Sequence, residues 1–281
     1  MMNLKKIIPI ITFFCFPMIV FAQGWVKEKG KGYFKVAQNI ISSNQYFAPN
    51  GTTVSTTTIS QFGSSIYAEY GLSNKITGVV NFPFYVRQTI NDVRFRQSGR
   101  TIPGDEFGAL GDADLGIKYG FSQDKPIVLS TSLILGLPLG KTNAGESGIL
   151  QTGDGEFNQF IRVDASHSFY PKPIYVSAYS GFNNRTKDFS DEFRYGFEIG
   201  FPFKKFIPII KVNGVASFKN GEAINAQGSL FANNIEYLSP SLDLNYQLNS
   251  KIGISGAVAV AVFGRNVLNA PNYNFGVFMK W

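Results

Sequence analysis

Apolar and polar residues alternate along most of this chain with a period of two. Ala113, Leu115, Ile117, Tyr119 and Phe121 fall on one face, while Asp112, Asp114, Gly116, Lys118 and Gly120 fall on the other. Phe193, Tyr195, Phe197, Ile199 and Phe201 likewise oppose Arg194, Gly196, Glu198 and Gly200. Ile252, Ile254, Val258, Val260 and Val262 oppose Gly253, Ser255, Ala257, Ala259 and Ala261. Successive side chains of a β-strand point to opposite faces, so this pattern predicts strands with one apolar and one polar face.

The connections between these stretches alternate in length. Short turn-like links at 71–74, 122–125, 170–173, 202–205 and 249–250 separate long polar ones near 44–57, 88–109, 139–155, 185–191, 220–234 and 264–271. Tight turns on one side and long loops on the other mark outer-membrane barrels. The expected strands run near 32–43, 58–70, 75–87, 110–121, 126–137, 156–169, 174–184, 192–201, 206–219, 235–248, 251–263 and 272–281. The expected fold is all-β: a transmembrane, up-and-down antiparallel β-barrel of about twelve strands in the bacterial outer membrane, its lipid the first partner. A soluble sandwich also alternates, but its connections do not alternate so regularly. Pro83, Pro208 and Pro240 break the pattern and are read as bulges or gaps, because proline cannot donate to a ladder.

The last strand carries Tyr273, Phe275, Val277, Met279 and Trp281 on one face. As the twelfth strand it must pair with the first to remove both sheet edges. A terminal aromatic resembles the signal read by the barrel-assembly machinery, so Trp281 is the expected assembly signal and that machinery an expected partner. At the other end, Lys5 and Lys6 precede an apolar run, Ile7 to Phe21, which reads as a signal peptide over 1–22, cleaved before Gln23. Residues 23–31 then form a short periplasmic segment before the barrel of 32–281, too short for an N-terminal plug. The sole cysteine, Cys15, lies in the signal, which removes disulfides and thiolate chemistry from the mature chain.

Composition sharpens this picture. Aromatic residues are 15% and charged residues 16% of the chain, which suits an aromatic girdle around alternating strands. The net charge of +7 falls to +5 without Lys5 and Lys6. An exported chain meets lipid headgroups rather than nucleic acid, so nucleic acid is not an expected partner.

By parity, the polar face carries Lys35, Arg87, Lys118, Arg162, Arg194 and Lys211 together with Glu69, Asp112, Asp114, Asp164, Glu198 and Asp243. This balanced set is the expected lumen lining, either bracing the bore or bordering a path. It argues against a strongly ion-selective pore, which would use a ring of one sign. Inward Tyr67, Tyr85 and Phe160 predict a constricted bore, while the small residues of 251–263 leave space on one side. No catalytic residue, metal site or cofactor is expected. The single histidine, His167, shares parity with Ile161, Val163 and Ala165 and so faces lipid or the interface. Gly153-Asp154-Gly155 lacks the later ligands of a calcium loop.

Two stretches resemble a family. Tyr67 to Lys75, Tyr-Ala-Glu-Tyr-Gly-Leu-Ser-Asn-Lys, followed by Ile76 to Tyr85, and Gly108 to Tyr119, Gly-Ala-Leu-Gly-Asp-Ala-Asp-Leu-Gly-Ile-Lys-Tyr, are similar to motifs of the outer-membrane proteins named for the meta-pathway of phenol degradation. Leu135 to Gly140 and Thr152 to Gly155 resemble the next loop borders. The resemblance covers 67–155 and implies an outer-membrane channel for passive passage of small hydrophobic or aromatic molecules. Asp112, Asp114 and Lys118 are its matching inward positions. The alternatives are a non-transporting structural or assembly-partner barrel with a plugged bore, and a lipid-modifying barrel enzyme relying on His167.

Overall fold

A computed structural model describes residues 24–219 and 234–281; the expected signal peptide lies outside the described residues. Twelve long strands form one closed sheet. They are β1 (Gly32–Phe47), β2 (Thr53–Gly71), β3 (Ile76–Ile90), β4 (Ala113–Ser122), β5 (Ile127–Leu137), β6 (Asn158–Ser168), β7 (Tyr175–Arg185), β8 (Glu192–Gly200), β9 (Phe206–Ser217), β10 (Glu236–Gln247), β11 (Ile252–Ala259) and β12 (Asn272–Lys280). Each pairs antiparallel with its sequence neighbour, and β12 pairs β1 from Tyr33↔Lys280 to Ile41↔Asn272. Gly32 and Trp281 extend the closing pair by exchanging backbone hydrogen bonds of 3.2 Å. Among the described residues the twelve strands close into a ring, which is what a bilayer requires of backbone polar groups.

The alternating faces are sorted as the pattern demands. Ile117 and Ile161 are 58% and 57% exposed on the outside, whereas Lys118 and Asp164 are buried within. Leu115, Phe197, Ile254, Phe275 and Val277 continue the exposed apolar wall, far larger than the patches of soluble monomers. Near the short turns, exposed Tyr70, Phe121, Tyr170, Phe203, Tyr246 and Trp281 make an aromatic rim. His167 is on the outer side, its Nδ1 2.6 Å from the Pro126 carbonyl oxygen and its ring edge-on to Phe169.

The wall is taller than expected on one side. Residues 44–47 and 53–57, read as loop, extend β1 and β2 so that the hairpin tip is only 48–52. This stretch, Thr52 to Thr58, is polar on both faces and therefore shows no alternation. Its β-branched threonines and Val54 still favour extended backbone, and with water on both sides nothing demands an apolar face. Beyond β3, Val93–Arg94 pairs with Thr101–Ile102, and Asp105–Ala109 continues the wall against 86–90.

Pro83 produces the expected bulge, with a consequence for the interior. Ser64 pairs Tyr85 while Ile66 pairs Phe82, so two residues of β3 stand against one of β2. An inserted residue reverses the alternation beyond it. Val79 and Asn81 face the bore below the bulge; Val86 and Gln88 face it above. Arg87 and Tyr85, expected inside, are thereby turned to the outer side. By contrast, Pro208 and Pro240 stand in an unbroken β9–β10 ladder. Pro240 lies just beyond the last β10–β11 pair, Ser241↔Ala259.

Candidate functional site

Among the described residues, two cavities of the bore have different linings. The lower one, toward the short turns, is about 410 Å³ and is bordered by Tyr33, Lys35, Tyr67, Glu69, Lys118, Arg162, Glu198, Lys211 and Asn274, among others. Most of its charges are braced in pairs. Glu69 receives Lys27 at 3.1 Å and Lys118 at 3.5 Å, and Tyr67 donates its hydroxyl to the same carboxylate at 2.7 Å. Arg162 pairs with Asp164 and lays its guanidinium 4.0 Å from the centre of the Tyr179 ring. Lys211 lies 2.6 Å from Asp243 and 3.9 Å from Glu198. Buried carboxylates and ammonium groups persist only when paired in this way.

The upper cavity is about 380 Å³ and combines Ile41, Val86, Phe189 and Leu268 with Gln61, Gln88, Asp112 and Asp154. Loop 139–156 folds onto it through Asp112, which accepts the backbone N–H groups of Gly140 and Asp154 at 2.8 and 2.9 Å. Beside it, Arg185 is the centre of an ion cluster with Asp154 at 3.0 Å, Glu192 at 2.7 Å and Glu156. Glu192 also holds Arg194 at 2.7 Å, whose guanidinium is 5.4 Å from the Phe160 ring centre. Asp114 accepts from Asn81 at 3.1 Å.

Of the residues singled out by parity, Lys35, Glu69, Lys118, Arg162, Glu198 and Lys211 thus meet at the lower cavity, with Asp164 and Asp243 as their counter-charges. Asp112, Asp114 and Arg194 lie higher. Arg87 is separated from all of them; it pairs with the exposed Glu106 and lies against Phe62. Arg185 and Glu192 were missing from the inward set, although Glu192 shares the parity of Arg194 within the expected strand 192–201 and Arg185 lies one step beyond 174–184. Asp154 is a loop residue with no periodic signal, and Glu156, at the edge of the expected strand 156–169, precedes the observed strand.

The largest departure is at the periplasmic end. Residues 24–31, read as too short to plug anything, run along the inner wall. Gly24 N–H donates to Ser166 Oγ at 2.9 Å, Val26 N–H to Gln123 at 3.0 Å, Lys27 N–H to Thr77 at 2.8 Å and Gly30 N–H to the Gly71 carbonyl at 2.9 Å. Trp25 meets Tyr175 edge-on. The segment therefore passes from β1 around to β7, half of the twelve-strand ring, and narrows the mouth. Eight extended residues reach roughly 26 Å, enough for that path without any separate plug domain.

No known protein family matches the sequence, and no curated protein matches it. Solved structures do. An outer membrane channel from Pseudomonas putida F1 aligns over 92% of this chain and 98% of its own, with a TM-score of 0.67 and 13% identity. The NanC porin aligns over 88% and 100%, at 0.53 and 9%. The β domain of the Bordetella autotransporter BrkA aligns over 90% and 100%, at 0.51 and 10%. At such identities the likeness is one of fold. With the closed wall and apolar exterior, it makes this chain a bacterial outer-membrane barrel.

Proposed function

We propose that this barrel is a channel for the passive passage of small molecules of hydrophobic or aromatic character. The observation that carries this reading is the pair of cavities inside the barrel, each of the size that accommodates small ligands. The upper one sets an apolar surface beside polar groups, and the lower one sets aromatic side chains among charged groups. Ile41, Val86, Phe189 and Leu268 supply the apolar surface above; Tyr33, Tyr67 and Val79 supply it below. The resemblance of 67–155 to the phenol-pathway barrels supports the same solute class. The N-terminal segment is then a part that must shift for passage through the periplasmic mouth.

Liposome swelling with purified barrel tests this. A small neutral aromatic alcohol should enter, and faster when 24–31 are deleted. No entry through either folded protein would sink the reading. The second reading, a barrel that serves as a structural or assembly partner, is favoured by the ion pairs and by the segment occupying the mouth. It predicts a stoichiometric complex after mild crosslinking and no flux in either form.

A further inference from the structure

The lower cavity contains a cation with no direct ion pair. Lys35 points into it from β1, and its Nζ donates to the Asn274 side-chain oxygen at 3.1 Å. Among the described residues it forms no ion pair. Its neighbours in the cavity wall are matched: Lys27 and Lys118 to Glu69, Arg162 to Asp164, Lys211 to Asp243 and Glu198. Among the four cations that line the cavity, Lys35, Lys118, Arg162 and Lys211, Lys35 is the one held by a neutral partner.

The wall is shaped to hold it there. A Cβ on Gly276 would lie 2.5 Å from Lys35 Cε, so the lysine stem lies across a position where only glycine leaves room. Ser255 borders the same spot, 3.1 Å from that Cβ. The small inward residues of β11 and β12 thus make the groove in which the ammonium is presented. Around it, Tyr33, Tyr67, Ala37 and Val79 offer apolar surface, and Ser65 and Asn81 offer hydrogen bonds. Burying an ammonium is costly unless it is paired, and a carboxylate is its natural partner.

Resting on the channel reading above, we infer that the lower cavity is a subsite for the carboxylate of a small organic acid, held at Lys35 with its apolar body against Tyr33 and Tyr67. The upper half of the bore limits the charge such a solute carries. There, among the described residues, Asp112, Asp114, Asp154, Glu156 and Glu192 outnumber Arg185 and Arg194. Repulsion from those acids grows with the charge of an entering anion. A single charge on an apolar body is therefore admitted more readily than a polyanion.

The test is isothermal titration of the folded, detergent-solubilised full barrel with benzoate, and with benzyl alcohol as its neutral counterpart. Wild type should bind benzoate more tightly than benzyl alcohol. Lys35→Gln should weaken benzoate about tenfold, the scale of one charge-assisted hydrogen bond, while leaving benzyl alcohol unchanged. Lys35→Arg should restore benzoate binding. Equal binding of the two probes to wild type, no benzoate binding, or an equal loss of both in Lys35→Gln overturns the inference. Heat-modifiable migration confirms that each variant is folded. Because binding is read without flux, benzoate binding with no liposome swelling would retain the subsite and reject the channel.

Discussion

The Lys27 ammonium lies 3.1 Å from Glu69 Oε2, and both side chains are only 9% exposed. This contact ties the N-terminal segment to the inside of the wall. Glu69 serves Lys118 as well, so the two ends of the pair are not equivalent. Removing one partner of a buried ion pair typically costs about 3–5 kcal/mol because the other charge stays buried. Glu69→Ala should therefore lower the urea midpoint of the refolded barrel strongly, and Lys27→Ala less. Equal losses would show that Lys118 does not depend on Glu69.

Gly71 sets how closely the same segment can lie. A Cβ there would come within 2.0 Å of the Glu28 carbonyl oxygen, a backbone atom that cannot swing aside. Gly71→Ala should leave the barrel folded but detach residues 24–31. Limited proteolysis would then clip this segment in the variant and spare it in wild type.

Arg87 and Arg194 give a paired prediction about the interior. Arg87 is outside the bore with Glu106, whereas Arg194 is inside with Glu192 and Phe160. If the barrel conducts, Arg194→Gln should change single-channel conductance and Arg87→Gln should not. A comparable change in both would contradict the reversed alternation above Pro83.

The loop latch around Arg185 should respond to pH. Burial pushes the Glu156 carboxyl up to about 8, and Asp154 and Glu192 push the same way against the attraction of Arg185. A carboxyl raised in the folded state binds its proton more tightly there than in the unfolded chain. The stability it contributes is therefore full below the ordinary value of 4.5 and is lost as pH rises to about 8. Amide exchange in 141–155 should be slower at pH 5 than at pH 8 after correction for the intrinsic rate. Glu156→Gln should flatten that difference.

Trp281 covers Gly32 so closely that a Cβ on the glycine would be 2.3 Å from the indole ring. Deleting Trp281 removes the last backbone pair of the β1–β12 closure and one member of the aromatic rim. Outer-membrane insertion, followed by heat-modifiable migration of membrane fractions, should fall. An undiminished amount of folded barrel would exclude Trp281 as an assembly signal.

The strands were legible because the bilayer imposes a rule on every residue that crosses it. Ile117 and Lys118 cannot exchange faces without placing a charge in lipid, so their parity is written in the sequence. The same rule located β12 and the inward set of Lys35, Glu69, Lys118, Arg162 and Lys211. Where the rule lapses, the reading failed. Residues 53–57 meet water on both sides, and nothing local marked them as strand.

Only the tertiary structure decided three matters, each by bringing together residues remote in sequence. The bulge at Pro83 turned Arg87 outward, because one inserted residue reverses every face beyond it. The short segment 24–31 found partners from Glu69 to Ser166, since closing the barrel gathers those residues around one mouth. Lys35 was left with the neutral Asn274 as its direct partner, while the neighbouring carboxylates pair with other cations. Parity assigns a side chain to the inside, but which charges meet there depends on the registers of all twelve strands.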